Sequence, residues 1–206
     1  WKLNIWRKMK LIITLFIVLI GQVSQAQQTK KEITEHRDQH LKDLLDTNNH
    51  MMNEEEIEAF QGLDYFDFDV SYTVEVKFTK DKGKKFEMPT STARLPIYRR
   101  YGYIDFMIDS NQCRLTVYQN MGLKGKKEYK KYLFIPFKDK TTRISTYGGG
   151  RFIDFEIPED EISELDFNLT YNPYCAYSHR YSCPIPPEEN TLNVEIRAGE
   201  KTPLGH

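Results

Sequence analysis

Residues 171–190, YNPYCAYSHRYSCPIPPEEN, hold two cysteines, four tyrosines and four prolines. Proline fixes φ near about −65° and has no N–H to donate, so neither a helix nor a central strand tolerates this density. The stretch must be an ordered loop held by something other than a backbone ladder. The rest of the chain has to supply a scaffold that can carry it.

Upstream of that loop the periodicity changes once. In KKEITEHRDQHLKDLLD, residues 30–46, Ile33, Arg37 and Leu41 share a helical face with Leu44 and Leu45, and the other positions are charged. Asn53 followed by Glu56 resembles a capping box, so a short second helix is expected over 54–61, stopped by Gly62. Beyond Gly62 the pattern turns to period 2. YTVEVKFT alternates, YIDFMID and QCRLTVYQ read as a hairpin, and YLFIPF, FIDFEI, LDFNL and LNVEIR are further short runs. MPTSTARLPIYRRYG carries two prolines, so a strand there is an edge or is bent. The expectation is a mainly β, β-rich α+β chain. About eight short strands form an antiparallel sandwich or barrel-like domain over 63–206, behind a helical extension at 27–62.

The first 26 residues read differently. Met9 and Lys10 open the apolar run LIITLFIVLI, followed by GQVSQA and then polar sequence. A basic start, a short apolar core and small residues at Ser24 and Ala26 are the pattern of a cleaved signal peptide. Ten apolar residues span about 15 Å as a helix, half of a hydrocarbon core. Residues 1–8 precede the first methionine and read as upstream translation; both tryptophans, Trp1 and Trp6, lie among them. The expected location is periplasmic or extracellular, with no membrane contact after cleavage. Residues 27–206 carry 25 basic and 30 acidic residues, net −5, which argues against nucleic acid as a partner.

Three cysteines follow, an odd number for an exported chain. Cys113 sits in a strand-like run and reads as a buried thiol. Cys175 and Cys183 are expected to form a disulfide, closing a short loop for about 2–3 kcal/mol. Cys175, His179 and Cys183 fall at four-residue intervals but are one ligand short of a structural zinc site, so no metal and no cofactor is expected. CxxC spacing is absent, which weakens a redox reading. Nucleophilic cysteine chemistry would need an unbridged thiol beside a base.

Three polar constellations are candidates for a site. In TYGGGRF the glycines Gly148, Gly149 and Gly150, between Tyr147 and Arg151, could expose N–H groups to an anion, or simply make a tight turn. Lys138 and Asp139 follow an apolar strand, where side chains reach a rim or a solvated turn. Asp166 and Asn168 share one face of a strand by period 2 and adjoin the Tyr171–Tyr177 loop.

The ordered set MPTSTARLPIYRRYG, LFIPFKD, TYGGGRF and DFNLTYNPYCAYSHRYSCPIPPEENTLNVEIRAGEK resembles a bacterial and archaeal family called domain of unknown function 1684, over roughly Glu54 to Lys201. The resemblance implies a shared fold and marks Arg99, Tyr101, Gly102, Lys138, Asp139, Tyr147 to Arg151, Asp166, Asn168, Tyr171, Asn172, Cys175, Cys183, Pro184, Pro187, Glu189, Asn190, Gly199 and Glu200 as signature positions. His179 is not among them. The resemblance implies no reaction.

Two functions stay open. One is an exported binding or structural module with a small anion or sugar as ligand, held by Arg99, Lys138, Asp139, the Tyr147–Arg151 turn, Asp166, Asn168, Tyr171, Asn172, Tyr177, Glu189 and Asn190. The other is a hydrolase using Asp139, Asp166 or Glu189 in acid–base work. A converged pocket favours the first or second; dispersed side chains, each holding its own loop, favour a structural role.

Overall fold

The structure, a computed structural model, describes residues 27–48 and 51–205. The expected signal segment, 1–26, lies outside the described residues. The described residues fall into two units, 27–39 and the residues from 40 onward. In the first, residues 27–39 are helical, and this helix, α1, runs on to residue 45 in the second. Among the described residues no helix is long and apolar enough to cross a membrane.

In the second unit, α2 spans Glu54–Ala59 and starts with the expected capping box: the Asn53 side chain takes the Glu56 N–H while Glu56 takes the Asn53 N–H. Seven strands follow: β1 Thr73–Lys80, β2 Lys85–Glu87, β3 Ile97–Ile108, β4 Asn111–Asn120, β5 Tyr132–Phe137, β6 Arg151–Glu156 and β7 Ile162–Asp166. They make one antiparallel sheet in the order β6-β5-β4-β3-β1-β7, with β2 added beside β3. The sheet curls into a half-barrel, and the fold is mainly antiparallel β with an N-terminal helix.

Both faces of this sheet are covered by apolar side chains. On one, Val74, Val76, Phe78, Ile104, Phe106, Leu115, Val117, Leu133, Ile135, Phe137, Ile153, Phe155 and Leu165 form the main core. On the other, Tyr98, Tyr118, Phe134 and Phe152 form a smaller aromatic cluster under Met88 and the cysteine loop. The register explains the split. Along β5, Leu133, Ile135 and Phe137 face the main core while Phe134 faces the aromatic cluster, as period 2 requires. In β3 an extra residue, Tyr101, is inserted between the pairs Arg100↔Tyr118 and Gly102↔Val117. This bulge lets Tyr98 serve the aromatic cluster and Ile104 and Phe106 the core, an odd shift that a regular strand cannot make. Gly102 has to be glycine, since a Cβ there would meet the Thr79 carbonyl at 2.4 Å.

Two strand expectations are corrected. LDFNL is strand only through Asp166; Phe167–Leu169 is a 3-10 turn that the Asp166 side chain caps. LNVEIR is not a strand. Its alternation is real, with Leu192, Val194, Ile196 and Ala198 buried in the main core and the residues between them exposed. The segment lies across the core face, bent at Asn193 and Val194, without a continuous ladder.

Candidate functional site

Three of the candidate polar groups turn out to act as substitutes for strand backbone. The first is Asn190. Pro136 in β5 has no N–H to offer β4, and the pairing of β4 with β5 is limited to Tyr118↔Phe134. The Asn190 carboxamide fills the opening: its Oδ1 accepts the Thr116 N–H at 2.7 Å, and its Nδ2 donates to the Thr116 and Pro136 carbonyls at 2.9 and 2.8 Å. The second is Asn168, which takes the Asp69 N–H at 3.1 Å and donates to the Asp69 carbonyl at 2.9 Å. Both asparagines are fully buried.

The third is a salt bridge. Arg151 and Asp139 lie in the main core, 3.4 Å apart. Asp139 Oδ2 accepts the Ile196 N–H at 2.7 Å, and Arg151 NH2 donates to the Ile196 carbonyl at 2.8 Å. The ion pair thus satisfies both backbone groups of Ile196, as a neighbouring strand would. Arg151 also donates to the Ala198 and Glu200 carbonyls, and its guanidinium lies over the Phe137 ring. Burial pulls the Arg151 pKa down, while Asp139 opposes that shift. Thr141 donates its hydroxyl to the Asp139 carboxylate.

The remaining candidates are also occupied locally. Asn172 gives its side-chain N–H to the Lys201 carbonyl, and its backbone N–H goes to Glu200. Tyr177 donates its hydroxyl to Glu200 as well. Glu189 accepts the Tyr118 hydroxyl at 2.6 Å, and Asp166 caps the turn at Asn168. Tyr171 pairs its backbone with Phe152 and donates its hydroxyl to Asp154. The Lys138 backbone bonds to Asn190 and Leu192. In the glycine turn Gly150 donates its N–H to Tyr147, and its φ of +89° suits only glycine. A Cβ on Gly150 would also meet Phe137 O and Pro186 at 2.7 Å, and its Lys138 neighbour at 3.1 Å.

Arg99 is set apart from this group. It pairs with Gln119 on β4, whereas Arg151 pairs with Phe137 at the far end of β5. The offset is about four residues along the strands, roughly 13 Å. Arg99 donates to Gln119 Oε1 from Nε and NH2 at 3.0 and 2.6 Å. Its guanidinium carbon is 5.9 Å from the centre of the bulged Tyr101 ring, with Lys80 Nζ at 5.8 Å and Lys82 Nζ at 4.8 Å from the same ring. Among the described residues none of the three cations is in an ion pair; the nearby pair is Arg100 with Asp81, at 2.9 Å. Lys82 is held below its usual pKa by slight desolvation and then by Lys80, Arg99 and Lys124. Sequence spacing could not reveal this trio, because a bulge and a turn bring it together.

The expected Cys175–Cys183 disulfide is corrected: both are free thiols, as is the buried Cys113. Cys175 lies in the 3-10 turn Tyr174–Ala176, where its N–H points at the Cys183 sulfur and donates to it at 3.2 Å. That contact sets the Cys183 sulfur against the Cys175 residue, and Ser91 Oγ, which accepts the Cys183 N–H at 3.1 Å, lies beside the pair. The glycine turn packs against the end of the cysteine loop, where a Cβ on Gly150 would meet Pro186 at 2.7 Å. The Cys183 hydrogen bond, above all, brings the Cys175 thiol down to about 6, while the same bond and burial push Cys183 up. Burial, then Cys175, pushes Tyr147 up to about 12. Among the described residues no group of three or more His, Cys, Asp or Glu is placed to hold a metal ion.

A curled antiparallel sheet closed on its inner face by a side-chain-pinned C-terminal segment, with a thiol pair on its outer face, defines the class of molecule. The chain belongs to the family described as protein of unknown function, DUF1684, whose model matches residues 58–201. It is similar to the solution NMR structure of an uncharacterised protein from Haloarcula marismortui, at 32% identity and a TM-score of 0.67, over 89% of this chain and 99% of that one. No curated protein matches it.

Proposed function

We propose that this chain is an exported module that binds a small anion at the end of the sheet where Arg99, Lys80 and Lys82 surround Tyr101. The observation that carries this reading is the convergence of three cations on one ring without a carboxylate partner among them. Cations brought together in this way repel one another, and an anion between them relieves the repulsion. Arg99 is the element of precision, because Gln119 fixes the orientation of its planar fork. Tyr101 supplies a flat wall, itself stacked on Phe78. Export rests on the sequence of residues 9–26.

The hydrolase reading draws no support from the carboxylates it needs. Asp139 holds Ile196 and Thr141, Asp166 holds Asn168, and Glu189 holds Tyr118. No two of them share a bonded partner among these contacts.

The test is calorimetric titration and thermal shift with inorganic phosphate and with sulfate. The parent protein is expected to bind and to melt higher as anion is added. Arg99→Gln combined with Lys82→Gln is expected to lose that response while keeping its circular dichroism. An unshifted parent, or an unaffected double variant, overturns the assignment.

A further inference from the structure

The outer face of the sheet carries a second arrangement with chemistry of its own. Cys183 and Cys175 are held by separate parts of the fold. Cys183 is clamped to the segment 89–92: Ser91 N–H donates to the Cys183 carbonyl at 2.9 Å, the Cys183 N–H donates to Ser91 Oγ at 3.1 Å, and Ile185 N–H donates to the Pro89 carbonyl at 2.9 Å. Ser182 adds hydroxyl contacts to Thr90 and Thr92, at 2.7 and 2.6 Å. Cys175 rides on the turn after Tyr171, whose backbone is paired with β6. Neither anchor depends on a bond between the sulfurs. The loop is therefore positioned with the thiols already adjacent, and a disulfide is not needed to hold it.

The accessibility of the two differs. Cys175 is half-buried and Cys183 is buried. The Cys183 sulfur lies 3.2 Å from the Cys175 backbone nitrogen, and its proximity, above all, lowers the Cys175 pKa and favours the thiolate there. Sequence spacing alone argued against redox chemistry because no CxxC is present; the fold brings the two sulfurs together through space instead.

We propose that Cys175 and Cys183 form a thiol–disulfide exchange site, with Cys175 as the attacking thiol and Cys183 as the resolving one, acting on small or protein-borne disulfides. The Cys175 thiolate attacks one sulfur of a disulfide RSSR, forming a Cys175–SR bond and releasing RS⁻. The Cys183 thiol then loses its proton and attacks the Cys175 sulfur, forming the intramolecular disulfide and releasing the second RS⁻. Two thiols are oxidised, one disulfide is reduced to two RSH, and two electrons pass. Cys113 takes no part, since it lies in the main core on the other face of the sheet.

The experiment uses the full chain and oxidised glutathione as the probe. Purified protein is equilibrated in buffers of varied reduced-to-oxidised glutathione ratio, and free thiols are counted by maleimide mass tagging after denaturation. Three free thiols are expected under reducing conditions and one, Cys113, under oxidising conditions, with a single transition and peptide mapping to Cys175–Cys183. The variant Cys183→Ser is expected to accumulate one glutathionyl group on Cys175, because the resolving step is gone. Cys175→Ser is expected to trap glutathione at least tenfold more slowly, because Cys183 is buried. A parent protein that keeps three free thiols in oxidised glutathione overturns the proposal without recourse to any variant. So does faster trapping by Cys175→Ser than by Cys183→Ser.

Discussion

Arg151 and Asp139 meet 3.4 Å apart inside the main core, each side chain only 1% exposed. Between them they hold the N–H and the carbonyl of Ile196. A charge pair in such surroundings is costly to break from one side, since the remaining charge is buried alone. Arg151→Ala is accordingly expected to lower unfolding stability by about 3–5 kcal/mol. Urea titration followed by circular dichroism measures it. A loss below about 1 kcal/mol would show that the pair is not what holds the C-terminal segment.

Asn190 makes a sharper test, because it is neutral. Asn190→Leu keeps the volume but leaves the Thr116 N–H and the Thr116 and Pro136 carbonyls without their bonds. A loss of about 2–4 kcal/mol is expected, with Asn190→Ala no less damaging. If the leucine variant melts like the parent, the carboxamide is not bridging β4 and β5.

These side chains also explain what the sequence could and could not disclose. The capping box at Asn53, the β3–β4 hairpin and the loop nature of 171–190 were legible because each depends on local chemistry. LNVEIR was misread because alternation records burial, not laddering, and Ile196 finds its partners in Asp139 and Arg151 rather than in a strand. The same fact misdirected the reading of the site. Arg, Asp and Asn in glycine- and proline-rich motifs have the same signature whether they bind a ligand or a stretch of their own backbone. The grouping of Arg99 with Lys80 and Lys82 depends on the Tyr101 bulge, which no periodicity announces.

Gly199 is expected to tolerate no side chain. Its φ is +73°, and a Cβ would meet Thr170 Oγ1 at 1.8 Å and two carbonyl oxygens at 2.7 and 2.8 Å. Strain and overpacking together place Gly199→Ala at about 3 kcal/mol of lost stability or more. Thermal melting of the variant is the check, and a change of under about 2 °C would contradict it.

Alkaline pH should unfold the protein through its buried phenols. Burial, with Glu189 beside Tyr118 and Asp154 beside Tyr132 and Tyr171, raises all three pKa values above the usual 10. A raised folded pKa contributes stability in full below the unfolded value and loses it as pH climbs beyond. Melting temperature is therefore expected to fall above about pH 10. Phenolate absorbance of these residues should appear together with loss of the near-ultraviolet dichroism. Phenolate signal from all tyrosines in a still-folded protein would rule this out.

The pinning of residues 190–200 by side chains from earlier strands has a consequence in time. The hydrogen bonds that seat Leu192, Val194 and Ile196 join them to groups 45 or more residues back, at Arg151, or further, at Lys140, Asp139 and Lys138. Until those residues are seated, the curled sheet has an open apolar trough holding the Arg151–Asp139 pair without its bonds to Ile196 and Ala198. Such a sheet cannot settle on its own. Closure of the trough is thus expected late in folding, and a chain cut before residue 196 is expected to leave apolar surface open to aggregation and proteolysis.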